Sequence, residues 1–329
     1  MGRSLNISPF LLSAGVVMGL ALSHVVWGTT EASFFSWMYG EADEVTTAIM
    51  MQIRIPRVLT AMGAGAGLGL CGLLLQTWFG NPLAGPSVLG ISSGAGMGVA
   101  LVVLAGFAGG WAATASAAVL GSILVLLGLL LVAQRFRGMT TLLIFGLMLN
   151  YVLGALITIL QAEAKQDALQ QFVFWGMGTF GQNTMLLATG LLGLVGLVLS
   201  KSWFMRKNLD AWTLGEITAR SMGVSDRQMR WNLLLLTGLT TGAVTAICGP
   251  VAFLGLATPH VVRSFSRRRT HDFLIPMTAL CGAGLALLAD WGVKGFGGVF
   301  DGWPLNAVLS LLGGPMVIWV LIKRGWTPE

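Results

Sequence analysis

Apolar residues run in long stretches from one end of the chain to the other, separated by short polar connections. A stretch of about eighteen or more apolar residues crosses a hydrocarbon core of about 30 Å as one helix. Ten candidate spans can be marked, at 8–28, 57–79, 88–108, 112–133, 141–160, 184–201, 232–249, 251–265, 274–292 and 304–322. The eighth is short and is interrupted by Pro259. A membrane barrel requires alternating apolar and polar residues in segments of about ten, and the continuous apolar runs exclude it. The expected fold is an all-α polytopic membrane protein with about ten transmembrane helices, residues 1–329 forming a single transmembrane domain.

Composition agrees. Of 329 residues, 55% are hydrophobic and only 10% charged, against about 25% charged in a soluble domain; mean hydropathy is +0.80. The 46 glycines are scattered through the apolar runs, as expected where membrane helices approach closely through small residues. Cys71, Cys248 and Cys281 lie inside apolar segments without CxxC spacing and are read as small buried hydrophobes. The opening stretch MGRSLNISPFLLSAGVVMGLALSHVVWG has a long apolar part and no clear small-residue cleavage site, so it is read as an uncleaved first span.

Charge sets the orientation. With the N-terminus inside, the inner connections hold fifteen of the 19 Lys and Arg residues, and the outer ones keep only Arg54, Arg57, Lys165 and Lys294. That asymmetry places both termini in the cytoplasm. The pair in Arg54-Ile55-Pro56-Arg57 then faces outward, with Pro56 suited to a first helical turn. Such a pair offers its charge to something outside, or to Glu41, Asp43 and Glu44 of the same loop. Asp290 and Lys294, four residues apart at the end of the ninth span, are spaced for a helix ion pair.

Several motif matches carry no chemistry. GLGLCG at 67–72 fits a dinucleotide fingerprint but lies inside a span, and GISSG at 90–94 lacks the soluble α/β frame of a nucleophile elbow. His24, His260 and His271 are too few and scattered for a metal site or triad. No Gly-Lys step exists, so there is no phosphate-binding Walker loop and ATP hydrolysis belongs to another polypeptide. Other segments are more informative. GNPLAGPSVLG at 80–90 reads as an irregular turn, either a plain connector or a constriction on a permeation route. The longest inner connection, about 201–231, has helix-forming stretches broken by Gly215 and Gly223, and suits a cytoplasmic docking platform or a surface helix on the lipid headgroups. GPVAFLGLATPHVVR at 249–263 reads as a broken helix.

Taken in order, RIPR with its glycine-rich helix, LLLQTWFGNPLAGPSVLGISSGAG, FVFWGMGTF at 172–180, LGEITARSMGV at 214–224, GPVAFLGLATPHVVR, LLADW and LLGGPMVIWVLIKR at 311–324 resemble the FecCD-type permeases. These are the membrane subunits of ABC importers for iron-siderophores, haem and cobalamin. The resemblance covers about residues 50 to 324 and implies ten helices per subunit in a prokaryotic cytoplasmic (inner) membrane. It also implies a dimer of permease subunits, more readily homo- than heterodimeric, two cytoplasmic ATP-binding subunits, and an extracytoplasmic substrate-binding protein. Residue by residue, it implies that Arg54, Arg57 and Lys294 dock the binding protein. Asn81, Leu83, Met139 and Thr140 would form the cytoplasmic gate, and Glu216, Ala219, Arg220 and Gly223 would couple to the ATPase. No cofactor, metal site or nucleic-acid partner is implied. The chain departs from the family where Gly302-Trp303 precedes Pro304 in place of Glu-x, and where Lys294 stands for an arginine and lacks its bidentate fork.

A secondary transporter driven by an ion gradient is the alternative. It needs ionisable groups inside spans, and each Asp, Glu, Lys and Arg here falls near a span end or in a connection. The path expected along spans five and ten is lined by apolar, small and amide side chains, with Asn150, Gln161 and Asn306 as its polar members.

Overall fold

The computed structural model describes residues 8–27, 33–106, 110–136, 138–266, 268–294 and 302–324. Among them the chain is helical, with α1 (Ser8–Val26), short α2 (Phe34–Met38) and α3 (Glu44–Ala48), α4 (Ile55–Phe79), α5 (Ile91–Val103), α6 (Gly110–Arg135) and α7 (Met139–Glu163). There follow α8 (Gln166–Met177), α9 (Met185–Phe204), α10 (Arg206–Trp212), α11 (Glu216–Ser221), α12 (Asp226–Cys248), α13 (Leu254–Phe265), α14 (His271–Lys294) and α15 (Leu305–Arg324). Every apolar stretch marked as a span overlaps one of these helices. Seven of the helical segments among the described residues are long and apolar enough to cross a membrane. The third, eighth and tenth stretches fall short of that measure; α5 has 13 residues and α13 has 12.

The core is built on α4, which packs against α9, α12, α13 and α14. Small residues make these crossings close. A Cβ on Gly72 would lie 1.6 Å from the carbonyl oxygen of Gly255 in α13, and one on Gly65 would lie 2.2 Å from that of Gly282 in α14. The same device joins α5 to α6, where a Cβ on Gly121 would meet Gly94 O at 2.1 Å. Lipid tails are as apolar as leucine, so helices in a membrane gain little by hiding leucine from them. Backbone-to-backbone packing is what holds the bundle together.

The chain departs from the expected helix start at Arg54-Ile55-Pro56-Arg57. Helix begins earlier, at Glu44, where Asp43 caps it by accepting from Thr46 N at 3.0 Å. It then runs through a π-helical segment, Ile49–Arg54, directly into α4. Pro56 explains the widening, because it cannot donate to the carbonyl four residues back and its ring crowds that carbonyl. The Asx-capped entry and the proline thus leave both arginines inside a continuous helix.

Elsewhere the irregular segments fall where the sequence placed them. Residues 80–90 form a turn ending in a 3-10 segment, Pro86–Leu89. The break before α13 centres on Phe253, whose φ of 63° is in the left-handed region. A bulky residue there is strained, and its side chain packs on Gly313 of α15. Gly215 and Gly223 interrupt the 201–231 connection with φ of 101° and 87°. At Gly223 the amide bonds back to Arg220 O and Val224 N reaches Ala219 O, both 3.0 Å. This left-handed C-terminal stop favours glycine.

Candidate functional site

At one end of α4 the basic residues turn inward. Arg54 is 5% exposed, and its Nη1 donates to Val25 O at 2.8 Å and Val26 O at 3.3 Å, closing the C-terminal carbonyls of α1. Arg57 forms a fork on Asp290 of α14. Its Nε lies 3.1 and 2.8 Å from the two carboxylate oxygens, and its Nη2 lies 2.8 Å from Oδ1. Asp290 is therefore not the helix partner of Lys294, as the spacing suggested. Lys294 Nζ donates to His24 Nδ1 at 2.9 Å and to His24 O at 3.4 Å. The His24 Nε2–H donates to Leu287 O at 2.9 Å, so Nδ1 is the acceptor of a neutral ring, and its 3.5 Å approach to Asp290 is not an ion pair. The three basic residues expected on the outer surface thus join α1, α4 and α14 into one network. Glu41, Asp43 and Glu44 form no ion pair with them among the described residues.

At the other end of α4, three consecutive residues and one just past the helix are held by other elements. Gln76 donates from Nε2 to Leu256 O at 3.2 Å and accepts from Arg263 Nη1 at 2.5 Å. Thr77 Oγ1 lies 3.0 Å from His271 Nε2. Trp78 O accepts from Trp212 Nε1 at 3.1 Å, which satisfies one of the carbonyls a helix end leaves open. Beyond the helix, Pro82 O accepts from His260 Nε2 at 2.8 Å.

Three of these tethers lead to α13, one leads to α10, and the Thr77–His271 contact leads to the first residue of α14. Asp210 of α10 accepts from both His271 N (2.8 Å) and His271 Nδ1 (2.7 Å), capping α14 from another element. Burial works against the Asp210 charge, but the hydrogen bonds from the His271 side chain and backbone prevail and hold the carboxyl below its ordinary pKa.

Of the expected gate residues, Asn81 and Leu83 sit on the turn that follows, and Met139 and Thr140 open α7. Asn81 Oδ1 accepts from Leu83 N at 2.9 Å and its backbone oxygen from Ala84 N at 3.0 Å, a local Asx-type turn. Leu83 is 47% exposed and Thr140 is exposed; the Met139 side chain lies outside the described residues. The far end of the turn is stapled to α7. Asn150 Nδ2 donates to Ser87 O (3.0 Å) and Val88 O (3.4 Å), its Oδ1 accepts from Ser93 at 2.6 Å, and Gly146 lies against Leu89. Behind the turn is a cavity of about 170 Å³ lined by Ser87, Ser92, Thr241, Thr245, Phe253 and Leu256.

Two amides assigned to the path are occupied structurally. Asn150 holds the turn. Asn306 of α15 joins two breaks, donating from Nδ2 to Gly176 O (3.1 Å) and Pro250 O (2.6 Å) while its Oδ1 accepts from Ala252 N (3.0 Å). Irregular backbone inside a membrane bundle must find such partners, and no local pattern marks which residues supply them. Gln161 is half-buried.

Of the expected coupling residues, Glu216, Ala219 and Arg220 are together on α11, and Gly223 is the left-handed stop just after it. Glu216 and Arg220 pair across one turn, Arg220 also reaches Asp226 at 3.2 Å, and Ala219 is fully buried beneath them. Asp226 in turn pairs with Arg230 at 2.7 Å, and Arg230 Nη1 donates to Ala133 O and Phe136 O, each at 2.8 Å, anchoring this segment to the end of α6. Around the pair, Leu214, Ile217 and Met222 are exposed, Ile217 by 85%.

A family model described as the FecCD transport family matches residues 11–323. The chain belongs to that family. It is 31% identical over 326 residues to the hemin transport system permease protein HmuU of Yersinia pestis, covering 96% of this chain and 95% of the relative. It is 33% identical over 303 residues to the vitamin B12 import system permease protein BtuC of an Escherichia coli O17:K52:H18 strain, covering 91% of this chain and 87% of that one. Among solved structures, a metal-chelate type ABC transporter in an inward-facing conformation superposes with a TM-score of 0.81 at 26% identity, over 95% of this chain and 98% of that one. PsaBC from Streptococcus pneumoniae shares the fold alone, with a TM-score of 0.52 at 16% identity over 81% of this chain. Membership makes the chain a membrane permease; hydrolysis of ATP is the work of a separate subunit.

Proposed function

We propose that this chain is the permease subunit of an ATP-driven importer in a prokaryotic inner membrane, with both termini cytoplasmic, moving a bulky metal chelate from a delivery protein into the cell. Nearly full-length similarity to one hemin and one vitamin B12 permease carries the reading, since both cargoes are large metal-centred macrocycles. A haem, a cobalamin or an iron-siderophore fits it equally, and no His, Cys, Asp and Glu cluster able to hold a bare metal ion occurs among the described residues.

Two surfaces suit the partners. The exposed apolar side chains around the Glu216–Arg220 pair fit a groove on each of two ATPase subunits. On α7, Ile144, Met148, Tyr151, Val152 and Ile159 leave an exposed apolar face. In this reading that face borders the path between two copies of the chain, and Asn81, Leu83, Met139 and Thr140 close its inner end. Arg54, Arg57 and Lys294 can receive a delivery protein only by sharing a network already paired within the chain, so reversing them weakens docking and the fold together.

The test is uptake by proteoliposomes carrying the chain with its ATPase subunits and delivery protein, offered labelled haem, cobalamin and ferric siderophores. The reading expects uptake that requires ATP, is blocked by vanadate and survives a protonophore. Uptake abolished by the protonophore and indifferent to vanadate would establish the secondary-transporter alternative instead.

A further inference from the structure

The inner end of α4 leads straight into the 80–90 turn, and α10 grips it at two consecutive residues. Trp212 is 4% exposed and donates to the Trp78 carbonyl. Asp210 holds His271, whose other ring nitrogen meets Thr77. The Trp212 and Asp210 side chains thus reach α4 by separate routes from one short helix. Only the break at Gly215 separates α10 from α11, while Phe79 and Gly80 alone separate Trp78 from Asn81.

We infer that Asp210, His271, Thr77 and Trp212 form a latch that passes displacement of the α10–α11 segment into the end of α4 and from there to the 80–90 turn. The inference rests on the reading that α11 docks an ATPase, but the latch itself is a property of this chain alone. Physical economy favours it. Every contact in the route is a hydrogen bond between buried or half-buried groups, and a buried donor left unmatched is costly, so the partners move together rather than separate. Gln76 and Pro82 are meanwhile tied to α13, so α4 and the turn cannot follow α10 freely. The turn is instead worked against α13, and the cavity of about 170 Å³ behind it gives room for that movement. These four are positioning residues, acting on the turn through the end of α4.

Two measurements on W212F, D210A and the double variant test the latch, with S221A as control because the Ser221 hydroxyl bonds only within α11. The first is hydrogen–deuterium exchange on the purified chain. Loss of a latch hydrogen bond should speed exchange of the Leu83 and Ala84 amides by about tenfold, more in the double variant, while the α5–α6 crossing is unchanged. The second, in the assembled transporter, is uptake per ATP hydrolysed. It should fall about tenfold while hydrolysis and ATPase copurification stay within about twofold. D210N, which keeps an acceptor for His271, should recover part of both. Unchanged turn exchange in folded W212F and D210A overturns the latch whatever the transport result. Faster turn exchange with an unchanged coupling ratio overturns its role in transport. If the unmodified transporter shows no ATP-dependent uptake, the proposed function fails and the exchange result still decides whether the latch exists.

Discussion

α4 and α7 have 25 residues each, and their most apolar stretches have mean hydropathy 1.9 and 2.3. Yet 83% of that stretch is buried in the segment containing α4 and only 11% in α7. Hydropathy does not separate them, because a membrane helix is apolar whether it faces lipid or protein. Their glycines do. Gly63, Gly65, Gly67, Gly69 and Gly72 of α4 all lie against a neighbouring helix, whereas of the two glycines of α7 Gly146 meets only the 86–89 segment and Gly154 has open space where a Cβ would project. One helix is the hub to which both ends of the molecule are tied; the other keeps a face for something not in the chain.

Substitutions should act very differently on the two helices. The largest effect is expected at the α4–α13 crossing. Gly72→Leu drives a side chain into the Gly255 backbone, which cannot yield as a core side chain can, so no monodisperse protein should be recovered on size-exclusion chromatography. Next is the network at the other end of α4. Arg57→Met leaves Asp290, 1% exposed, as an unpaired buried charge, and breaking such a pair costs about 3–5 kcal/mol. A lowered unfolding midpoint in detergent checks this, and adding Asp290→Asn should restore much of the loss. Trp212→Phe removes one hydrogen bond from the α4 carboxyl end and should cost only about 1 kcal/mol. Smallest is Gly154→Ala in α7. It should leave the midpoint within about 0.5 kcal/mol of the parent or raise it, since alanine favours helix and meets nothing there. A strongly destabilised Gly154→Ala would mean that α7 is packed after all.

Much of this was legible in the sequence. Length and hydropathy located the helices, and Gly215 and Gly223 marked the breaks in the 201–231 connection because their left-handed turns favour a residue without Cβ. The glycine-rich run after Pro56 announced close packing, although not that Gly255 and Gly282 were its partners. Charge counting was less informative. It assigns a side of the membrane but is blind to pairing, so it could not see that Arg57 meets Asp290, 233 residues later, rather than leaving Asp290 to Lys294. The three histidines each proved to tie a helix end or turn; only folding brings such partners together.

The central functional claim is that the free face of α7 borders an aqueous path between two copies of the chain. Single cysteines at Met148, Tyr151, Val152 and Ile159 in α7, and at Leu68 and Leu75 in α4, test it directly in the assembled transporter, with Cys71, Cys248 and Cys281 replaced by alanine. A charged, membrane-impermeant thiol reagent should modify α7 positions, faster as the transporter turns over, and leave both α4 positions untouched. If α7 cysteines react only with membrane-permeant reagents, that face meets lipid and the path lies elsewhere.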